Sequence, residues 1–146
     1  MSDRTWPLRA IREAAGKTVF FIAALPAVLR AALRLAWLNR RYDLDQLADR
    51  LRTVRPWGPS YLSNPRYLRG SARRLLRLLP PRGFGPCLKQ SFLLLDLWSR
   101  CGLAPTIHIG TRKQDGERKF HAWVTLPETE DPAPTETTGY SELWSR

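Results

Sequence analysis

This sequence is poor in the residues that carry most thiol, imidazole and metal chemistry. Its 146 residues include two cysteines, two histidines and one methionine. Cys87 and Cys101 are too few for a disulfide framework, no secretory signal precedes them, and no zinc-site spacing is present. We therefore expect reduced thiols, and neither a cofactor nor a metal.

Acidic residues are also scarce. Asp and Glu number 13 against 24 Lys and Arg, which gives a formal net charge of +11. Such a charge favours acidic partners: nucleic acid, an anionic membrane or an acidic peptide. Most of the cations are arginines scattered through helical segments, without the interleaved aromatics of an RNA-binding surface, so we do not expect a nucleic-acid partner. The length suits a single domain over residues 1–146 with one core.

The chain has no clear membrane span. Residues 18–38 are strongly apolar, but Arg30 and Arg34 interrupt the run and Pro26 would kink a helix there. We expect one helix, or two short helices broken near Pro26, packed on the domain, with interfacial membrane contact as the alternative. Because the start of the chain lacks the layout of a signal peptide, we expect a cytoplasmic protein.

Residues 1–80 read as a helical scaffold. Asp43 and Gln46 have the spacing of a capping box, and Asn64-Pro65 suits the start of a further helix. That helix has an apolar inner stripe and a basic outer face, formed by Arg66, Arg69, Arg73, Arg74 and Arg77. The basic face is either a solvated surface or a docking surface for an acidic peptide or partner.

Residues 81–126 change character. Gly85-Pro86-Cys87 follows a Pro/Gly-rich connector and opens an apolar segment that ends at Gly102, which predicts a central helix with a glycine cap. Residues 106–111 and 119–126 then show the pattern of two strands. Asp115-Gly116 between them is a hairpin turn signal. The sequence thus predicts an α+β fold.

Cys87 and His121 form a candidate thiol–imidazole pair. A thiol at a helix N-terminus beside a histidine is stabilised as the thiolate, and the imidazole can protonate a leaving amine. Backbone N–H groups of the same helix start can receive an oxyanion. The alternative for Cys87 is a small buried apolar residue. Cys101, near the helix end, suits packing, and His108 either is satisfied within the sheet or lines the cleft.

Residue types alone do not identify the third residue of such a site, which would orient the imidazole. Residues 127–146 hold five acidic side chains against one arginine. Asp131 is our candidate partner for the imidazole, with Glu130 and Glu136 as alternatives, provided that the tail turns back as a strand. Tyr140, Leu143 and Trp144 are expected to anchor this tail to the body.

Three segments taken in order resemble one family. These are Cys-Leu-Lys-Gln-Ser-Phe-Leu-Leu-Leu at 87–95, Ile-His-Ile-Gly-Thr-Arg-Lys at 107–113 and Phe-His-Ala-Trp-Val at 120–124. Together they are similar to the transglutaminase-like leader peptidases of lasso-peptide biosynthesis. The resemblance is close over residues 80–126, and only general over the helical half.

The resemblance implies a papain/transglutaminase-like core with a Cys-His-Asp triad, in which Cys87 is the nucleophile and His121 the base and acid. It implies removal of the leader from a ribosomally made precursor peptide before a separate lasso cyclase closes the macrolactam. No recognition domain is visible in the sequence, which implies a separate leader-recognition protein. Thr125 stands where relatives have an acidic residue, and Asp131 is displaced from the family's position.

Two other functions stay open at this point. One is a non-catalytic scaffold that binds the precursor or docks the cyclase through the arginine face. The other is an amide-forming acyl transferase that uses the same thiol and resolves the acyl-enzyme with an amine instead of water.

Overall fold

The structure, a computed structural model, describes residues 6–52, 64–78, 85–127 and 139–146, with side chains described from residue 14 onward. In these ranges the chain forms four helices followed by three strands. The helices are α1 (Trp6–Leu38), α2 (Leu44–Arg52), α3 (Pro65–Leu78) and α4 (Pro86–Arg100). The strands are β1 (Thr106–Gln114), β2 (Glu117–Thr125) and β3 (Ser141–Ser145). The predicted α+β class is confirmed.

Helix α1 is continuous and longer than the apolar run that predicted it. It passes through Pro26 without a break, so the alternative of two short helices is wrong. Pro26 lies on the exposed side of the helix, and a proline there removes one backbone N–H donor from the helix. The loss of that one bond is therefore tolerated.

The two faces of α1 have different environments. Its inner face contributes Ala24, Val28, Ala31 and Leu35 to the core. Its outer face carries an exposed apolar stripe, defined by Val19, Ile22, Leu29, Leu33 and Trp37. The segment Ala14–Leu38 is long and apolar enough to cross a membrane, and 22% of its most apolar window is buried. A core helix and a signal sequence meet the same criteria of length and composition.

Local caps set the starts of α2 and α3. The backbone N–H of Gln46 donates to Asp43 Oδ1 at 2.9 Å, as the capping-box spacing predicts. Asn64 Oδ1 accepts from the N–H groups of Arg66 and Tyr67 at 3.1 and 3.3 Å, with Pro65 in the first helical position. Both predicted helix starts are confirmed.

Helix α4 is the centre of the fold. Every residue from Ser91 to Ser99 is buried, because α1, α2 and α3 pack on one side of this helix and β1 and β2 on the other. Trp98 and Phe92 are fully buried, and truncating either to alanine would cost about 3–5 kcal/mol. The helix is followed by Gly102 at φ 79°, the left-handed conformation of a glycine cap.

A buried carboxylate ties α4 to the other helices. Asp96 is fully buried and pairs with Arg34 of α1 and with Arg100 Nε, the latter at 2.9 Å. Arg34 also donates from Nη2 to the backbone oxygen of Arg50 in α2 at 3.1 Å. One guanidinium thus links three helices, and the ion pairs compensate the charge of a carboxylate that is withdrawn from water.

The sheet is antiparallel with the order β2-β1-β3. Asp115 and Gly116 have φ of 54° and 81°, which fits the two-residue hairpin turn predicted there. Ile107, Ala122 and Val124 turn their side chains into the core, toward α4. His108 pairs with Trp123 and Gly110 with His121 across the strands, so both histidines belong to the opposite face of the sheet.

The C-terminal strand β3 pairs with β1, not with the histidine-bearing strand β2. Trp144 packs against the core, and its Nε1–H donates to Asp45 Oδ1 of α2 at 3.0 Å. Leu143, in contrast, is 61% exposed, so its predicted role as an anchor is wrong. Neighbouring side chains of a strand point to opposite faces, and only one of the two can face the body.

Candidate active site

Cys87 is the second residue of α4, at the predicted place for a helix-start thiol. Gly85 is the N-cap and Pro86 the first helical residue, so no side chain caps this end of the helix. The first backbone bond of the helix runs from Lys89 N–H to Gly85 O at 3.0 Å. The N–H groups of Cys87 and Leu88 belong to this first turn, which is the positive end of the helix dipole.

Cys87 and His121 line the same cleft, whose volume is about 640 Å³. Helix α4 contributes Cys87, Gln90, Ser91 and Leu94, which recur on one face of the helix. Strand β2 contributes the three consecutive residues His121, Ala122 and Trp123. The thiol and the imidazole that the sequence singled out therefore line one cleft, although 34 positions separate them in the chain.

The third wall of the cleft is basic. Helix α3 presents Arg66, Arg69, Arg73 and Arg77 to the cleft, together with Gly70 and Leu76. Arg74, on the same helix, is directed elsewhere and lies over the ring of Phe21 at 5.6 Å. The basic face predicted from the sequence is thus divided: four of its arginines line the cleft that holds Cys87, and one does not.

Aromatic rings position His121. Its imidazole is nearly parallel to the Trp123 ring, with a centroid distance of 6.1 Å, and tilted against Tyr140 at 5.2 Å. The guanidinium of Arg112 lies over the Tyr140 ring, 4.8 Å from its centroid. Tyr140 was expected only as an anchor of the tail. Its contact with the imidazole depends on the fold of the C-terminal segment, which no local pattern reveals.

Gly110 makes room for this arrangement. A Cβ at Gly110 would lie 2.8 Å from the backbone oxygen of Ser141 and 2.8 Å from Cη2 of Trp123. Those distances are below any normal carbon contact. The missing side chain lets Trp123 lie across β1 beside His121, and lets β3 approach β1 at the bulge between Ile109 and Gly110.

His108, the competing histidine, is occupied in the sheet. Its Nδ1–H donates to Glu142 Oε2 at 2.6 Å, and its Nε2 lies 2.8 Å from Thr125 Oγ1. The hydrogen bond with His108, and after it one with Ser145, holds the pKa of the Glu142 carboxyl below its usual range. His108 is not among the described residues that line the cleft. Of the two alternatives for this residue, satisfaction within the sheet is the one observed.

Cys101, the competing thiol, lies just after the last turn of α4. Burial raises the pKa of its thiol, because the thiolate would lose hydration there. Such a thiol stays protonated and unreactive at neutral pH. Cys101 packs against the hydrophobic core, and its backbone N–H donates to the carbonyls of Leu97 and Trp98.

Asp131 and its alternatives Glu130 and Glu136 lie outside the residues that the structure describes. They therefore remain predictions as partners of His121. Among the described side chains, no group of three His, Cys, Asp or Glu residues is arranged to hold a metal ion. The chemistry of the cleft is that of a thiol, an imidazole, backbone N–H groups and arginines.

Comparison with known protein families agrees with this arrangement. The model of the transglutaminase-like superfamily matches residues 25–145. This chain belongs to the transglutaminase-like superfamily. The matched region contains Cys87, His121 and all three strands, and this superfamily includes cysteine peptidases and acyl transferases. A search of curated proteins and one of solved structures each found no match.

Proposed function

We propose that this transglutaminase-like protein is a cysteine peptidase that removes the leader from a ribosomally made, lasso-type precursor peptide. The observation that carries the proposal is the shared cleft, which is lined by Cys87 at the start of the central helix and by His121 on strand β2. The similarity of residues 80–126 to lasso leader peptidases supplies the substrate class.

The steps follow from the arrangement of these groups. The Cys87 thiolate attacks the scissile carbonyl, and the N–H groups at the start of α4 stabilise the oxyanion. The intermediate collapses, the C–N bond breaks, and the His121 imidazolium gives its proton to the leaving amine. His121 then takes a proton from water, which attacks the acyl-enzyme and releases the leader as a carboxylic acid.

The proposed reaction has further components. The N-terminal half consists of helices in its described parts, with the sheet confined to residues 106–145. We propose that a separate leader-recognition protein delivers the precursor and that a separate cyclase takes the freed core peptide. The protein would act in the cytoplasm, where precursor peptides are made.

Mass spectrometry of a precursor incubated with the recognition protein and this enzyme tests the proposal. We expect wild-type protein to release a leader with a free carboxylate and a core with a free amine, and Cys87→Ala to release neither. Cys101→Ala is the matched control and should keep activity, because the Cys101 thiol is held protonated by burial. Equal cleavage by wild type and Cys87→Ala would reject the mechanism.

The same experiment separates hydrolysis from acyl transfer. A leader whose new C-terminus is an amide instead of a carboxylate would identify an acyl transferase. Binding of the precursor without any covalent change, unaffected by Cys87→Ala, would identify a scaffold. Single exchanges Asp131→Asn, Glu130→Gln and Glu136→Gln test the third group, and the one that abolishes turnover identifies the partner of His121.

A further inference from the structure

The wall of the cleft opposite Cys87 is a row of arginines. Arg66, Arg69, Arg73 and Arg77 are spaced by three or four residues on α3, so they lie along one helix face. From Arg66 to Arg77 the row extends about 16 Å, at about 1.5 Å per residue. Arg66, Arg73 and Arg77 are exposed, whereas Arg69 is half-buried and lies over the buried Trp98 ring, 5.3 Å from its centroid. The exposed charge of the row is therefore carried by Arg66, Arg73 and Arg77.

No described residue that lines this cleft is acidic. The wall formed by α4 and β2 offers a thiol, an amide, a hydroxyl, an imidazole and apolar side chains. The electrostatic potential in the cleft is therefore positive, and the low-dielectric walls of a cleft strengthen such a potential. A cleft of this kind attracts anionic groups and repels cationic ones.

The spacing of the row fits an extended peptide. Neighbouring arginines are about 4.5–6 Å apart along the axis of α3, and alternate side chains of an extended chain are about 6.6 Å apart. A peptide lying along α3 would thus place every second side chain near one guanidinium. Each carboxylate on that side can form a charge-assisted contact with an arginine.

We propose that these arginines select peptides with acidic side chains at alternate positions beside the bond that Cys87 attacks. The inference rests on the proposed function, because it names the charge of the peptide which that site would cleave. Arg73 and Arg77 are specificity-determining residues in this proposal, and Arg66 extends the same contact toward the far end of the row.

A chemical probe tests the local charge without any peptide. Iodoacetate is anionic and iodoacetamide neutral, and both alkylate the Cys87 thiolate by forming a C–S bond and releasing iodide. Since both need the same thiolate, the ratio of their rates cancels any change in the thiolate fraction. We expect Arg73→Ala/Arg77→Ala to lower the iodoacetate-to-iodoacetamide ratio at Cys87 by about threefold, measured by mass spectrometry of the cysteine peptide.

Arg74→Ala is the matched control. It removes the same charge from the same helix, but Arg74 lies over Phe21 and does not line the Cys87 cleft. We expect this variant to leave the ratio close to the wild-type value. Equal ratios in wild type and in Arg73→Ala/Arg77→Ala, with both proteins folded by circular dichroism, would overturn the proposal.

Peptide binding tests the substrate class. The probes are two fluorescein-labelled peptides, one alternating Glu with Ser and one alternating Gln with Ser, titrated with Cys87→Ala protein. We expect the Glu peptide to bind about tenfold more tightly, and Arg73→Ala/Arg77→Ala to remove this difference. Raising the salt concentration from about 0.05 M to about 0.5 M should weaken binding of the Glu peptide more than binding of the Gln peptide, because salt shortens the screening length.

A labelled single-stranded oligonucleotide is the third probe, since phosphates also suit an arginine row. Tighter binding of the oligonucleotide than of the Glu peptide, lost in the same double variant, would overturn the proposal in favour of a nucleic-acid surface. Equal binding of the Glu and Gln peptides would also overturn it. Failure of the proposed function would give a different result. Precursor cleavage would then persist in Cys87→Ala, while the preference for the Glu peptide over the Gln peptide would be unchanged.

Discussion

The imidazole of His121 packs against two rings, with Tyr140 at a centroid distance of 5.2 Å and Trp123 at 6.1 Å. Tyr140 comes from the C-terminal segment, and Trp123 from the same strand as His121. The candidate base is therefore positioned by a part of the chain that follows it by 19 residues. This contact makes the C-terminal segment a functional element as well as an edge of the sheet.

Tyr140→Ala should lower the reactivity of Cys87 without unfolding the protein. The imidazole would lose one of its two ring contacts and with it a fixed orientation toward the thiol. We expect alkylation of Cys87 by iodoacetamide at neutral pH to slow toward the rate of His121→Ala, and the pH profile of that rate to move toward that of an ordinary thiol. Tyr140→Phe keeps the ring and should keep the wild-type profile.

The control for this experiment is Tyr42→Ala. Tyr42 is half-buried under Arg50, at the junction of α1 and α2, so its truncation tests general loosening of the fold. A profile that shifts as much in Tyr42→Ala as in Tyr140→Ala would contradict the positioning role.

Gly110→Ala should destabilise the sheet and disturb the site. The added Cβ would lie 2.8 Å from both Ser141 O and a carbon of the Trp123 ring, so backbone and ring must move. We expect a loss of about 1–3 kcal/mol in the free energy of unfolding, measured by urea titration. Gly70→Ala is the control, because nothing lies within 4 Å of its added Cβ and alanine favours a helix by about 1 kcal/mol. A neutral Gly110→Ala would contradict the close approach.

Local signals predicted the parts of this fold that depend on neighbouring residues. Asp43 and Asn64 cap the helices that their spacing indicated, and Asp115-Gly116 forms the expected turn. The sequence predicted the helix that begins at Pro86 because a proline suits the first turn of a helix. The residues of this helix are also apolar on nearly all of its faces. In these cases the physical cause lies within a few residues of the feature.

Features that depend on distant parts of the chain were not predicted. The pairing of β3 with β1 is decided by a long return of the chain, and so is the contact of Tyr140 with His121. The partner of Asp96 is 62 positions away in Arg34, and a carboxylate inside an apolar helix gives no indication of which arginine it will meet. The sequence indicated Cys87 and His121 as a pair only through their chemistry and the family resemblance.

Asp96→Asn should be strongly destabilising. The amide keeps the shape of the side chain but removes the charge that faces Arg34 and Arg100 within the core. We expect a loss of about 3 kcal/mol in the free energy of unfolding, at the lower end for a broken buried pair because the Arg34 side chain is 29% exposed. Asp115→Asn, in an exposed turn that asparagine also suits, should change it by less than about 0.5 kcal/mol. Similar values for both variants would contradict a stabilising network.

Glu142→Gln should make the free energy of unfolding less dependent on pH in the acidic range. The pKa of Glu142 is lowered in the folded protein, mainly by His108. A lowered carboxyl pKa contributes stability above the unfolded-state pKa, and that contribution is lost as pH falls through the folded-state pKa. We expect the variant to lose less than about 1 kcal/mol at neutral pH, because Glu142 is half exposed, and nothing at about pH 2. Glu117→Gln, on an exposed part of β2, should match wild type throughout, and a parallel loss at both pH values in Glu142→Gln would contradict the linkage.

Leu33→Ala and Leu35→Ala should differ sharply although the two residues are neighbours on α1. Leu35 is 7% exposed and packs in the core, whereas Leu33 is 65% exposed on the apolar stripe. We expect Leu35→Ala to cost about 2–4 kcal/mol in the free energy of unfolding and Leu33→Ala less than about 0.5 kcal/mol. Urea titration at two protein concentrations measures both. A large loss in Leu33→Ala that grows with protein concentration would contradict the exposure of the stripe and show that a second copy of the chain covers it.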